Sequence, residues 1–458
     1  MDGQSEYGQF MRRKKSVGMR TQFHVLRWWN MPGIETLPEF GVRERASMSA
    51  REACVPMNPL NYLPSFPLPP NPVLLFGLLL LAGFAGGEVV HRVLRLPRIV
   101  GYVLIGLALG VSGFGVLGDK LVREAQVFVD IALGLILFEL GRRLDFDWLR
   151  RDRWFAATAV AESALSFGCI YLALVYFDIR PLYAAVAAAI GVSTSPAVVM
   201  LVAQELRAEG QVTERALNLV AINSVVAFVL TTMLLSWIHH EYSAGWVTML
   251  SHPVYLLAGS LLLGYVVSWA AILLGRWLGK REELHFVMLL ALIVFAVGFA
   301  SALKLSVLLA LLAFGVMVKN MDENHDLMQV EIIKIGQMFF VVLFVVTGAT
   351  LRTSDLITGG AIAVVYILAR FIGKSVGVLS LAYFSGIRPG SGGLLAIALT
   401  PMSGLAIVMV RSTMELYPEF GAELAAIVLA AALILELVGP IAVQFALKRA
   451  GEAGEERA

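Results

Sequence analysis

Residues 188–200 belong to an apolar, membrane-length segment that is interrupted at its middle by Gly191, Ser193, Thr194, Ser195 and Pro196. Proline removes a backbone donor and clashes with the carbonyl four residues back, so a helix breaks here. Lipid offers the freed carbonyls no partner. Such a break is tolerated only inside protein or beside a water-filled cavity. Free carbonyls, three hydroxyls and two half-helix ends at membrane depth are the makings of an ion site. A proline-kinked packing helix is the plainer reading of the same residues. A second segment, residues 395–409, breaks the same way at Thr400, Pro401, Ser403 and Gly404. Two interrupted segments at corresponding places in two halves of a chain point to a transporter site.

Composition narrows the class. Of 458 residues, 58% are hydrophobic and 15% charged, which excludes a soluble enzyme and fits an all-α polytopic membrane protein. A net charge of +2 makes no case for a nucleic-acid partner. Cys54 and Cys169 give neither a metal spacing nor a disulfide framework. There is no phosphate-binding loop, so the reading includes no cofactor and no ATP-driven transport. Paired nucleophile and base, or metal ligands, are missing at membrane depth, so the chain does not read as an enzyme.

Residues 1–56 are polar and basic, with Arg12, Arg13, Lys14 and Lys15 together and no run long enough to span. No apolar region follows the basic cluster as it would in a signal peptide. The stretch reads as a disordered extension, and Met57 begins a sequence that stands alone, so a misassigned start is consistent with it. Residues 57–448 form the transmembrane domain and 449–458 a short tail. About thirteen candidate spans follow from hydropathy. They cover 72–91, 98–114, 125–141, 154–177, 181–203, 216–238, 253–276, 284–303, 305–319, 336–351, 359–384, 392–413 and 422–447. Alternate loops concentrate Arg92, Arg95, Arg98, Arg142, Arg143, Arg150, Arg151, Arg207 and Arg215, while the other loops hold few basic residues. By the positive-inside rule the first span starts outside and the C-terminus is cytoplasmic. The broken segments are spans 5 and 12, an odd number of spans apart. Spans 1–6 and 8–13 are therefore expected to be inverted repeats, with span 7 as a linker.

Further motifs carry a resemblance. Residues 97–106 open the second span with Pro97-Arg98-Ile99-Val100-Gly101-Tyr102, and Leu133 to Gly141 fill the third. Phe339-Phe340 leads to Val346-Thr347-Gly348, and Ala369-Arg370-Phe371-Ile372-Gly373-Lys374 lies in span 11. With the Ser-Thr-Ser-Pro break, their order and spacing resemble the monovalent cation:proton antiporter superfamily. The resemblance is to its bacterial branch of glutathione-gated potassium-efflux transporters and sodium/proton antiporters, over roughly residues 70–448. It implies a homodimer in the bacterial inner membrane. It also implies a dimerisation domain and a mobile core of spans 4–6 and 11–13, in which the broken helices cross and which moves like an elevator. The family's span 6 carries an Asp-Asp or Asn-Asp pair, the second member binding cation and proton by turns. Here Asn223 matches the first position and Ser224 replaces the aspartate. Amide and hydroxyl oxygens ligate a hard cation, but neither carries a proton near neutral pH.

Ionisable residues inside spans default to a functional reading. Glu139 lies one turn before Arg142 and Arg143 and is expected to snorkel, and Asp130 lies in the outer third of its span. Glu162, Glu436, Arg370 and Lys374 remain as candidates for proton and charge coupling. Glu162 and Arg370 sit on spans 4 and 11, which the inversion makes equivalent, and are expected to pair, because burying either alone is costly. An arginine stays charged, so Arg370 reads as a fixed counter-charge, while Glu162, Glu436 or Lys374 can exchange a proton.

The sequence therefore reads as a secondary transporter that exchanges Na⁺ or K⁺ for protons. The cation would lie among Ser193, Thr194, Ser195, Asn223, Ser224, Thr400 and Ser403, and the proton on Glu162 or Glu436. The alternatives are an uncoupled cation conduit and a non-transporting membrane sensor. Cysteines introduced at Glu209 and Glu241 should be labelled from opposite sides of the membrane; labelling from one side overturns the inversion.

Overall fold

The computed structural model describes residues 71–242, 246–322, 327, 332–402, 404–416 and 418–454. The basic extension at 1–56 and Ser403 lie outside the described residues. Sixteen helices, and no strands, make up the described residues. In chain order they are α1 (Pro72–Leu94), α2 (Arg98–Leu109), α3 (Asp119–Gly141), α4 (Phe146–Arg151), α5 (Arg153–Tyr176), α6 (Pro181–Val192), α7 (Pro196–Glu205) and α8 (Gln211–Tyr242). They continue as α9 (Trp246–Leu278), α10 (Glu282–Ala302), α11 (Val307–Met321), α12 (Ile332–Thr350), α13 (Thr353–Ala382), α14 (Pro389–Ala398), α15 (Gly404–Leu416) and α16 (Pro418–Arg449).

Eight segments are long and apolar enough to cross a membrane by length and composition, with the α6–α7 pair among them; shorter apolar helices accompany them. Each expected span overlaps one helix or one broken pair. The six-residue α4, which hydropathy does not reveal, is nucleated by the Asp145 carboxylate accepting the amides of Asp147 and Trp148. Span 2 is shorter than its hydropathy: α2 stops at Leu109, and residues 110–118 turn.

Local sequence explains the two breaks. Pro181 at the first turn starts α6, and the amide of Ser193 closes it on Ile190. Ser195 then caps a new helix, its hydroxyl accepting the Val198 amide at 3.3 Å, with Pro196 at the first helical position. The motif is thus a stop followed by a start, rather than a kink. The α6–α7 segment is also the most interior one: 89% of its most apolar stretch is buried, against 28% for α1. A broken backbone at membrane depth needs that burial.

The helices pack in two sets. α5–α8 and α13–α16 form one, in which α13 runs along α5 and α16. α1–α3 and α9–α12 form the other, in which α12 runs along α2 and α9 along α11. Between the sets, α7 meets α3, α16 meets α2, and α8 meets α3 and α9. Small residues allow the closest approaches, as expected where helices pack in lipid. At the α5–α13 contact, a Cβ on Gly373 would lie 2.6 Å from the Leu165 oxygen and from the Ser166 Cα. Gly377 abuts the backbone of Glu162 in the same way. These glycines set the depth at which the charged side chains of α5 and α13 meet. Gly373→Ala should therefore lower thermal stability in detergent by about 1–3 kcal/mol. A melting temperature equal to wild type would show that the contact yields without cost.

Candidate functional site at the crossed helix breaks

The two breaks touch. The Ser195 amide donates to the Pro401 carbonyl at 3.0 Å, and the Thr194 hydroxyl donates to the Leu399 carbonyl at 3.3 Å. α8 closes the crossing from a third side. Asn223 engages Thr194 twice: its Oδ1 accepts the Thr194 amide at 3.3 Å and its Nδ2 donates to the hydroxyl at 3.0 Å. Ser224 is buried and turns its hydroxyl to the Val220 carbonyl of its own helix at 2.7 Å, with the Thr194 carbonyl at 3.4 Å. Ser193 and Thr400 likewise bond back within one turn, to Ile190 and Ile397.

The carbonyls freed by the breaks converge on Arg370. Its Nε donates to Gly191 at 2.8 Å and its Nη1 to Thr400 at 2.6 Å. Its Nη2 reaches Ser193 at 2.7 Å, Pro401 at 3.2 Å and Leu399 at 3.4 Å. One guanidinium thus satisfies carbonyls from both broken helices, which its planar fork of donors suits. These are the backbone oxygens that the sequence offers as cation ligands, and here a fixed internal cation holds them.

One turn further along α13, Lys374 forms a buried ion pair with Glu162 Oε1 and donates to the Val192 carbonyl at 2.9 Å. The other carboxylate oxygen of Glu162 lies 3.4 Å from the Ser163 hydroxyl. The expected Glu162–Arg370 pair is therefore corrected: the partner of Glu162 is Lys374. The physical reason is stagger. Residues four apart on a helix differ by about 6 Å in height. Arg370 lies level with the crossing and its orphan carbonyls, and Lys374 lies level with Glu162. Glu436 is buried on α16, one turn before Gly439, which packs on Pro401 and supports the second break.

Tyr366 escapes the sequence reading. Its hydroxyl donates to the Ala187 carbonyl at 3.0 Å, so Tyr366, Arg370 and Lys374 form one donor stripe that reads the carbonyl ends of α6. Their spacing of four residues was the available signal. Hydropathy hides it, because tyrosine counts as apolar.

A helical membrane protein with two broken helices crossing beside buried charges is a secondary-transporter architecture. The model of the family described as sodium/hydrogen exchanger, transmembrane, matches residues 77–449, and the chain belongs to that family. A segment of 87 residues is 36% identical to the Na(+)/H(+) antiporter NhaS5 of Synechocystis sp., covering 19% of this chain and 12% of that protein. The fold is that of the sodium proton antiporter MjNhaP1 from Methanocaldococcus jannaschii at pH 8, with a TM-score of 0.65 at 15% identity. That match covers 84% of this chain and 99% of the other. An electron-microscopy map of the same protein matches with a TM-score of 0.62 at 16% identity.

Arg370→Met should strand the break carbonyls and cost at least about 3 kcal/mol of stability, since each buried unsatisfied acceptor costs about 1–3 kcal/mol. Arg370→Lys should recover only part of this, because an ammonium cannot span both breaks. Thermal unfolding in detergent checks both; two unchanged midpoints would mean that the clamp is dispensable.

Proposed function

We propose that this chain exchanges a monovalent cation, Na⁺ or K⁺, for protons across the bacterial inner membrane, and that Glu162 and Lys374 handle the proton. The observation that carries this is the fully buried Glu162–Lys374 pair, seated against the end of the first broken helix. Exchange requires a group that gains and loses a proton at the crossing. Ser224, in the aspartate's place, cannot do so near neutral pH, and Asn223 is tied to Thr194. Arg370 keeps its charge throughout. The pair on α5 and α13 therefore supplies the titratable chemistry, and Glu436 beside the second break is the next candidate. Ser193, Thr194, Ser195, Asn223, Ser224, Thr400 and Ser403 remain the proposed surroundings of the cation. A homodimer with its N-terminus outside and its C-terminus in the cytoplasm is part of the same proposal, resting on family resemblance and on the arginine-rich loops.

Fully buried charged pairs are costly structural elements, and hydrophobic replacements are often as stable or more so. Retention of this one at the crossing supports a role in coupling. Reconstitution into vesicles with an internal pH dye tests it. An inward gradient of Na⁺ or K⁺ should drive protons out of wild-type vesicles. Glu162→Gln should reduce the signal to that of empty vesicles while the protein elutes from detergent chromatography as wild type does. Cation flux without proton movement would instead indicate a conduit. Neither flux would indicate a sensor that kept the fold.

A further inference from the structure

The boundary between the two helix sets differs at its two ends. At the end where α7 finishes, Glu205 crosses it. Its carboxylate accepts the backbone amide of Arg98, with oxygens at 3.3 and 3.2 Å, and the Arg98 Nη1 at 3.0 Å. Arg98 is the first residue of α2, so the carboxylate also meets the positive end of that helix. His91 Nδ1 of α1 lies 3.3 Å from the same carboxylate. Arg98 is held in turn by Glu88 of α1 through its Nε at 3.2 Å. Two further bonds bridge the sets at this end: Gln444 to the Arg95 carbonyl at 3.4 Å, and Arg143 to Glu214 at 3.1 Å. A cavity of about 430 Å³ lies beside the Glu205–Arg98 contact, lined by Phe84, Tyr102, Gln204 and Gln337.

The other end holds a somewhat larger cavity. A cavity of about 550 Å³ separates Asp130 of α3 and Lys304 from Phe228 and Thr231 of α8 and Met409 of α15. Phe228 lies about 25 Å along α8 from its start at Gln211, next to Glu205. One face of the boundary is thus fastened by charge-assisted bonds, while the same boundary at the far end encloses a cavity reaching to one turn from Ser224.

We infer that Glu205 is a positioning residue for exchange: a latch that ties the second half of the first broken helix to α2 and holds the two helix sets together at that end. The inference rests on the exchange reading, because a secondary transporter must expose its site to each side in turn, by moving one bundle against another. Movement of α7 away from α2 breaks the carboxylate's bonds to the Arg98 amide and guanidinium together. Bonds to charged groups are the stronger kind, so this contact sets the balance between the two faces. Glu205 touches no residue of the crossing, and its effect passes through the position of α7. A purely structural bond would fasten the same helices without biasing which end is open.

Thiol accessibility separates these possibilities. Single cysteines are introduced as Thr231→Cys at the Asp130 end and Gln204→Cys at the latched end, with Cys54 and Cys169 replaced by serine. Glu205→Gln should slow alkylation of the first by a maleimide and speed alkylation of the second, changing their ratio roughly tenfold. Arg98→Ala should move the ratio in the same direction but less, because the amide of residue 98 still reaches the carboxylate. If Glu205→Gln does not insert, the Arg98→Ala shift decides alone. Unchanged rates, or both rates rising together, overturn the latch, the latter marking local loosening. Wild-type vesicles that exchange nothing would remove the exchange reading, whereas exchange with an unmoved labelling ratio removes the latch alone.

Discussion

Arg370 resolves the central difficulty of this fold. Two helices end inside the protein at membrane depth, and each leaves carbonyls that its own backbone cannot satisfy. At about 1–3 kcal/mol for each unsatisfied acceptor, the carbonyls of Gly191, Ser193, Leu399, Thr400 and Pro401 would together rival the net stability of a typical domain. A single planar guanidinium reaches all of them because the breaks lie against each other, and the breaks can lie against each other because it fills the gap. The amide-to-carbonyl bond from Ser195 to Pro401 and the Asn223–Thr194 contacts complete the joint.

The rest of the core follows from that joint. Burying a guanidinium is tolerable only with its donors paired, and here every partner is a backbone oxygen rather than a carboxylate. Glu162 is thereby left to Lys374, one turn along α13. The glycines at 373 and 377 bring α5 and α13 close enough for the pair to form. Tyr366 extends the same stripe to Ala187, so α13 reads the carbonyl edge of α6 over about two of its own turns.

Membership of the sodium/hydrogen exchanger family gives the transporter frame, and the resemblance read from the sequence implies a carboxylate where Ser224 stands. In the structure the Ser224 hydroxyl is bonded to Val220 and faces Thr194. The charged side chains at the crossing lie on neighbouring helices, Glu162 on α5 and Arg370 and Lys374 on α13. The proposed exchange depends on that placement.

Much of the scaffold was legible in the chain. Pro196 and Pro401, with the hydroxyl residues beside them, marked both breaks, because proline's missing donor and serine's capping oxygen act locally. Membrane-length apolar runs located the helices for the same reason: hydrophobicity and backbone satisfaction are properties of short segments. The sequence also flagged Glu162, Arg370 and Lys374 as costly inside a membrane, since that cost belongs to each residue alone. It did not determine which of them would pair. Partner choice depends on the relative height and rotation of α5, α6 and α13, set by close contacts at Gly373 and Gly377 and by the carbonyls exposed at the breaks. Nor could it show that Arg370 would take those carbonyls, or that Glu205 would meet the start of α2, more than a hundred residues earlier. Those contacts join residues distant in the chain, and only the packed tertiary structure decides them.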